Sequence, residues 1–131
     1  MKRTLLKRGN KRLKRKAKHD KMSLTRLHIK ARKVFAAWIV KRDKNICITC
    51  GKYGDQCGHF RHGHNMDFSE RGNNCQCSSC NYFRSGNIPK YAEALEKKFG
   101  FGIIQELNRE ADKLKIWKRK ELLDIIKKYQ G

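Results

Sequence analysis

Two Cys-x-x-Cys pairs constrain the fold of this sequence more than any other feature. The first pair is Cys47 and Cys50, the second is Cys77 and Cys80, and 26 residues lie between them. A two-residue gap lets both thiolates of a pair turn toward one tetrahedral ion, and Gly51 suits the tight turn after the first pair. The spacing predicts a structural zinc site made of these four cysteines. The alternative, a redox-active dithiol, lacks the βαβ setting expected for it.

Two further cysteines, Cys57 and Cys75, lie between or beside the pairs. Small buried thiols are common in protein interiors, and we interpret both residues in this way. Alternative metal ligation and redox sensitivity remain open for them at this stage.

The charge of the chain indicates a polyanionic partner. Its 131 residues include 33 Lys and Arg against 12 Asp and Glu, a formal net charge of +21. A domain this basic repels itself unless a polyanion neutralises it, and nucleic acid is the partner that we favour over an anionic membrane surface. No stretch reaches the roughly 18 apolar residues of a membrane span. We also expect no secretory signal and no membrane partner, and hence a reducing cytoplasm in which six cysteines indicate metal binding or catalysis.

The pattern of residues divides the chain into four parts. Residues 1–22 read as a flexible basic arm, which either tracks phosphates or merely aids solubility. Residues 23–44 predict an amphipathic basic helix with Ser23 as its N-cap. Residues 45–88 predict a zinc-bound core, and residues 89–131 a helical C-terminal region. The helical stripe comprises Leu24, Leu27, Ala31, Val34, Phe35, Trp38 and Ile39.

Within the last two parts the expected elements are short. A knuckle turn should precede a loose β-hairpin around "QCGHFRHGHNMDF", and a short helix should start near Ser78. "IPKYAEALEKKFG" places Pro89 in the first turn of a helix and Gly100 just past its end. Two further helical segments follow. The last has an apolar face for the core or for a homodimer: Ile116, Leu122, Leu123, Ile125 and Ile126.

Three histidines in the hairpin segment point toward chemistry. His59, His62 and His64 lie within six residues, and an imidazole is the usual general base near neutral pH. Phosphodiester hydrolysis requires a general base, a divalent cation and a basic surface from a protein. The same histidines could instead only contact phosphate.

The motifs together resemble a known family. "FAAWIVKRDKNICITCG" and "CGHFRHG…DFSERGNNCQCSSCNYFRSGNIPKYAEALEKKFG" resemble the phage NinG/Rap recombination nucleases over roughly residues 34–107. More distantly, the layout is similar to phage endonuclease VII and the HNH, or ββα-metal, class. The resemblance implies a mostly helical α+β fold with a zinc-stabilised ββα-metal core between an N-terminal helix and C-terminal helices. It also implies Mg²⁺-dependent (or Mn²⁺-dependent) cleavage of branched DNA, such as Holliday junctions and D-loops, and a location in the bacterial host cytoplasm if the chain is phage-encoded.

The resemblance assigns roles to individual residues. His59 matches the general base, and Asn81 matches the asparagine whose side-chain oxygen binds the catalytic cation. Asn74 enters the catalytic candidates because relatives have His, Arg or Asn there, although Asn73 and Asn74 could simply brace the loop that enters the helix. The four paired cysteines match the zinc ligands.

The chain departs from the wider pattern at two positions. Endonuclease VII-type sites have an aspartate before the base histidine, where this chain has Gly58, so a second cation ligand must come from elsewhere. Gly72 replaces an asparagine common in relatives. The candidates for the second ligand are His64 and Asp67, with Asp55 and Glu70 as further possibilities.

Basic side chains supply the expected contacts with DNA. They are Arg61, Arg84, Lys30, Lys33, Lys14 and Arg15. Branched or duplex DNA is the expected partner, and a homodimer would suit a symmetric junction. Two other functions stay open: a non-catalytic zinc module that binds DNA, and an RNA- or ribosome-associated zinc protein.

Overall fold

The computed structural model describes residues 14–15, 18–19 and 21–131. The described chain is mostly helical, with one small antiparallel sheet, which confirms the α+β prediction at that level. The elements in chain order are α1 (Leu24–Arg42), β1 (Gln56–His59), a 3-10 helix (His64–Met66), β2 (Asn73–Gln76), a π-helical turn (Ser79–Phe83), α2 (Ile88–Phe99), α3 (Ile103–Ala111) and α4 (Arg119–Tyr129).

Only part of the predicted basic arm falls within the described residues. Lys14 and Arg15 are helical and exposed. Residues 1–13, 16–17 and 20 lie outside the described part, so a flexible arm over residues 1–22 stays a prediction. None of the helices in the described part is both long enough and apolar enough to span a membrane.

Helix α1 begins and ends where its sequence indicates. The side chain of Ser23 accepts a hydrogen bond from the Arg26 backbone N–H at 3.2 Å, which confirms the predicted N-cap. Lys44 and Asn45 have φ of 54° and 58°, and this left-handed backbone ends the helix. The buried positions lie on the predicted stripe: Leu27, Ala31, Phe35 and Ile39.

A first core joins the two ends of the described chain. Helix α4 packs on α1, and the rings of Phe35 and Tyr129 meet edge to face with centroids 4.9 Å apart. The sequence left open whether the apolar face of α4 packs in the core or in a homodimer. In the structure this face packs against α1 of the same chain. Ile116 is an exception to the predicted face, because it precedes α4 and is 84% exposed.

A second core joins α2 and α3 to the hairpin. Pro89 lies in the first turn of α2 and Gly100 caps its C-terminus, as predicted. Tyr91 and Leu95 of α2 are fully buried, and they pack with Phe60 from the end of β1. The two cores enclose the sheet and fix its position relative to α1.

The hairpin differs from the expected one in its second strand. β1 and β2 are antiparallel, with Cys57 opposite Cys75 and His59 opposite Asn73. The second strand is therefore "NNCQ", not part of "QCGHFRHGHNMDF". The prediction that Asn73 and Asn74 stand at the entry to the helix was wrong in this respect, because both belong to β2. Asn73 does brace a loop, the one before its strand: its side-chain Nδ2 donates to the carbonyls of Met66 and Ser69.

Candidate metal centre and basic groove

The four paired cysteines come together as the spacing predicts. The sulfur atoms of Cys47, Cys50, Cys77 and Cys80 all lie within 4.8 Å of one another, and Sγ of Cys50 is 3.6 Å from Sγ of Cys77. A zinc ion with four thiolates near 2.3 Å requires sulfur separations of roughly 3.8 Å. The cluster is therefore compatible with a structural zinc ion.

Backbone geometry around the first pair explains how the knuckle forms. The N–H of Gly51 donates to the Cys47 carbonyl at 2.9 Å, and Gly51 has a φ of 75°, which favours glycine. Burial raises the pKa of the Cys47 thiol, but backbone N–H groups of Cys77, Cys50 and Thr49 outweigh it and lower the pKa to about 7. A thiol that ionises near neutral pH is suited to metal ligation.

The other two cysteines are packed thiols. Cys75 is fully buried, and its Sγ lies 3.4 Å from the Gly54 carbonyl. Burial raises the pKa of Cys75 to about 11 and that of Cys57 to about 12. Neither sulfur belongs to the four-cysteine cluster. Their position outside the cluster disfavours the alternative of ligation, and the neutral thiol that burial favours disfavours redox reactivity.

A groove of about 370 Å³ lies between α1 and the hairpin. His59 from β1 and Asn81 from the π-helical turn both line it, and Arg32 and Lys33 from α1 add positive charge. His59 and Asn81 also line an adjoining cleft on the side of Arg61. The structure thus brings together the two residues that the sequence singled out, 22 positions apart in the chain.

The surroundings of His59 hold it in the neutral form. Burial lowers its pKa below the ordinary 6.5, against a smaller opposite effect from the Asn73 side chain. Asn73 is fully buried and directly opposite His59 in the sheet. Its Nδ2 is held by two carbonyls, and its Oδ1 is buried with no hydrogen bond in the described part of the chain. A neutral imidazole at pH 7 is free to accept a proton.

Asn81 is oriented by a neighbour that the sequence did not reveal. Its Nδ2 donates to the side-chain oxygen of Gln56 at 2.9 Å. Within the described residues no hydrogen bond ends on Asn81 Oδ1, so this oxygen keeps its lone pairs available. The backbone N–H of Asn81 donates to the Cys77 carbonyl at 2.9 Å, which ties the residue to the cysteine cluster.

Gly58, where endonuclease VII-type sites have aspartate, has a specific packing reason to be glycine. A Cβ built there would lie 1.9 Å from Oε1 of Gln76, whose amide fills the space above the strand. The Gly58 carbonyl accepts a hydrogen bond from the buried Tyr91 hydroxyl at 2.8 Å. A carboxylate side chain at this position would have to displace Gln76.

Asn74 lies away from the groove. It is fully buried, its Nδ2 donates to the Arg71 carbonyl at 3.0 Å, and its Oδ1 accepts from Arg42 and Lys98 at 3.1 Å each. These contacts fix β2 against α1 and α2. The side chain has no access to a ligand in the groove, so we do not carry its catalytic assignment forward.

His64 and Asp67 come together with a third residue, His28 of α1. His28 Nε2 lies 2.7 Å from Oδ2 of Asp67, and His64 Nδ1 lies 3.6 Å from the same oxygen. Of the other carboxylates considered, Glu70 accepts from the Tyr129 hydroxyl, and Asp55 lines a different depression on α1. The sequence did not indicate His28, because its partner is 39 positions away.

The predicted DNA-contacting residues are distributed around the groove. Lys33 lines it, Arg84 is exposed beyond Asn81, and Lys30 is half-buried on α1. Arg61 is exposed but is held toward α3 by the Asn108 side-chain oxygen at 2.9 Å. Arg32, which the sequence did not single out from the other basic residues of α1, lines the groove beside Lys33.

Fold and site together define a small, strongly basic α+β protein with a four-cysteine cluster compatible with zinc and a groove lined by histidine, asparagine and arginine. A family model described as "Bacteriophage Lambda NinG protein" matches residues 1–131. The chain belongs to this NinG family of phage proteins.

Curated relatives agree with this membership. Protein ninG of Salmonella phage P22 is 28% identical over 126 residues, which cover 85% of this chain and 62% of that protein. Protein ninG of Escherichia phage lambda is also 28% identical over 126 residues, covering 85% of this chain and 61% of its own length. The chain thus spans less than two thirds of these relatives. No solved structure was found to match it.

Proposed function

We propose that this chain is a metal-dependent DNA endonuclease with a ββα-metal core, acting on branched intermediates of phage recombination or replication. The observation that carries the proposal is the groove, in which His59 and Asn81 lie with Arg32 and Lys33. Base, amide oxygen and positive charge occur in one depression beside the cysteine cluster. The net charge of +21 supports a nucleic-acid substrate, and the resemblance of the motifs to recombination nucleases points to branched DNA.

His59 is the proposed general base. Its lowered pKa keeps the imidazole neutral at pH 7, so that it can take a proton from a water molecule in line with the scissile phosphorus. Asn73 lies directly opposite His59 in the sheet, and its buried side chain partly offsets the lowering of the His59 pKa by burial, so we propose that it helps to orient the ring. His59 would be a catalytic residue and Asn73 a positioning residue.

Asn81 is the proposed protein ligand of the catalytic cation. Its Oδ1 is available, because Gln56 holds the other atom of the amide. Mg²⁺ usually binds through one or two carboxylates together with water and substrate phosphate, so the neutral amide of Asn81 would hold it jointly with the phosphates of bound DNA. When bound, Mg²⁺ or Mn²⁺ supplies charge stabilisation at the phosphate. Asp67 also lines the groove, but it is not counted as a ligand here, because His28 and His64 both approach its Oδ2 and Mg²⁺ prefers a set of oxygen ligands.

The zinc ion would take no part in the reaction. Its role would be to fix the strand with His59 relative to the turn with Asn81, because Cys80 directly precedes Asn81 and Cys77 lies four positions before it. Arg32, Lys33 and Arg84 would hold the phosphate backbone along the groove.

One observation favours a second candidate, a zinc module that binds DNA without cutting it. No carboxylate precedes His59, and the space for one beside Gly58 is filled by Gln76. A DNA-binding module would need the cysteine cluster and the basic surface but not His59. A cleavage assay separates the two candidates.

The test uses zinc-loaded protein and a panel of end-labelled DNA substrates of one sequence: a four-way junction, a D-loop, a nicked duplex and a linear duplex. Each is incubated with Mg²⁺, with Mn²⁺ or with EDTA, and binding is measured in parallel at controlled salt. We expect cleavage of the branched substrates with either cation and none with EDTA. Binding of all substrates without any cleavage would exclude the endonuclease and leave the binding module.

A further inference from the structure

The described residues contain a second group of metal-binding side chains besides the four cysteines. His28 comes from α1, while His64 and Asp67 come from the segment between the strands. One ligand atom from each side chain lies within 4.8 Å of the other two. Because the group exists only when α1 packs on this segment, it is a product of the tertiary fold.

We propose that His28, His64 and Asp67 form a binding site for a divalent transition-metal ion, separate from the four-cysteine site. Two imidazoles and one carboxylate are a ligand set typical of Zn²⁺, Mn²⁺, Co²⁺ and Fe²⁺, with coordination positions left for water. Mg²⁺ prefers oxygen ligands and is disfavoured. The site does not depend on the endonuclease proposed above.

Two of the three ligands are already fixed. The side chains of His28 and Asp67 are only 15% and 14% exposed, and they are 2.7 Å apart. Asp67 Oδ2 is the atom that both histidines approach, since His64 Nδ1 lies 3.6 Å from it. The 2.7 Å separation is a hydrogen-bond distance, so a bound ion would replace this hydrogen bond and move the two atoms apart to roughly 3.3 Å, a small adjustment and not a rearrangement.

The third ligand is free to adjust on a fixed backbone. The His64 side chain is 67% exposed, and its ring centroid lies 5.5 Å from that of His28. Its backbone is held, because Nε1–H of Trp117 donates to the His64 carbonyl at 2.6 Å. Rotation of one exposed side chain is the main ordering cost of binding.

An ordinary histidine–aspartate pair explains less of the local structure. Such a pair needs only His28 and Asp67, and it does not account for His64 facing the same oxygen. A cavity of about 310 Å³ adjoins both histidines and Trp117, with room for the water ligands of a metal ion.

The charge of Arg32 allows the proposal to be tested by the direction in which metal affinity changes. Its Nε lies 3.5 Å from Asp67 Oδ2, so its positive charge opposes a cation at the same carboxylate. Removing this charge should strengthen metal binding, whereas it should weaken the binding of DNA phosphate. The two effects have opposite directions and can be measured separately.

The experiment is a Co²⁺ titration of protein whose four-cysteine site is first filled with zinc. We expect one further equivalent, with the visible absorption of nitrogen and oxygen ligands and without thiolate charge-transfer bands. His28→Gln and Asp67→Asn should each weaken this binding about tenfold or more, and Arg32→Gln should tighten it. His62→Gln, an exposed histidine of the same segment outside the group, should leave it unchanged.

Several results would overturn the proposal. The first is that no further equivalent of Co²⁺ binds. The second is that a further equivalent still binds in both His28→Gln and Asp67→Asn. The third is that an equal concentration of Mg²⁺ displaces the bound Co²⁺. Thermal melting of each variant establishes that it is folded. If Asp67→Asn does not fold, His64→Gln replaces it, because that side chain is exposed and its loss does not empty a core position. Retained binding in folded His64→Gln and His28→Gln would equally contradict the site.

Discussion

At the scale of the residue, the environment of His59 determines how cleavage should respond to pH. Burial lowers the pKa of the imidazole below 6.5, so the proton-accepting form persists to lower pH than in a free histidine. We expect the inflection of kcat/KM against pH to lie below 6.5, with the plateau on its alkaline side, since this quantity reports the free protein. A pH profile on a four-way junction at constant ionic strength checks this. An inflection at or above 6.5 would contradict the assignment of His59.

Gly58 provides a second prediction at this scale. A methyl group at this position would meet Oε1 of Gln76, so Gly58→Ala should lower the free energy of unfolding by about 1–3 kcal/mol. Urea unfolding of the zinc-loaded protein measures the change. In the double variant with Gln76→Ala, the cost should be less than the sum of the single costs, because the obstacle is gone. A purely additive result would show that the two side chains do not compete for this space.

At the scale of elements, Arg42 links the end of α1 to β2. Its guanidinium donates to the carbonyls of Glu70 at 2.7 Å and Asn73 at 3.1 Å, and to the Asp43 carboxylate at 2.8 Å. This carboxylate in turn accepts the Cys75 backbone N–H at 2.8 Å. The C-terminal end of α1 therefore provides hydrogen-bond partners for the Asn73 carbonyl and the Cys75 N–H of β2, the strand that lies against the cysteine cluster.

Removing this link should destabilise the protein. We expect Arg42→Met to lower the free energy of unfolding by about 1–3 kcal/mol, because it leaves polar groups of the strand unpaired. The adjacent Lys41 is exposed, so Lys41→Met should change stability by no more than about 0.5 kcal/mol. Denaturant melts of both variants make the comparison. Equal effects of the two substitutions would mean that the guanidinium contacts do not stabilise the strand.

The same elements indicate what sequence can and cannot predict. Features controlled by neighbouring residues were predicted: the Ser23 cap, Pro89 in a first turn, and the clustering of the cysteines of each Cys-x-x-Cys pair. The residue pattern also predicted the approximate end of α1. The family resemblance predicted that His59 and Asn81 belong to one site, and both line the same groove.

Contacts between distant residues were not predicted. Nothing local relates His28 to Asp67, or Gln56 to Asn81, because side-chain hydrogen bonds across 39 and 25 positions depend on how elements pack. Ile116 has the apolar character expected of α4, yet it precedes the helix. β2 reads as a loop because its asparagines are unusual in a strand, and the hydrogen bonds that the two buried side chains make outweigh that low propensity.

At the scale of the whole molecule, stability should depend on the four-cysteine site. The described part of the chain has two small cores joined through a two-stranded sheet, and zinc binding can supply much of the folding free energy of such a domain. Cys77→Ser should lose zinc and give an unfolded or aggregated protein. Cys57→Ser should keep one equivalent and stay folded, because Cys57 is outside the cluster.

Elemental analysis and far-ultraviolet circular dichroism on the two cysteine variants make the comparison. A chelator should reproduce the effect of Cys77→Ser in the wild-type protein. A well-folded, zinc-free Cys77→Ser protein would contradict the structural role of the cluster.

The proposed endonuclease is tested most directly by His59→Gln on a four-way junction with Mg²⁺, measured under single-turnover conditions. The account predicts a loss of cleavage of about 10²- to 10⁴-fold, with junction affinity and zinc content unchanged, because only the general base is removed. His62→Gln is the matched control: its ring centroid lies 5.5 Å from that of His59, the side chain is exposed, and cleavage should persist. Cleavage by His59→Gln at the wild-type rate would contradict the assignment of His59 as the base.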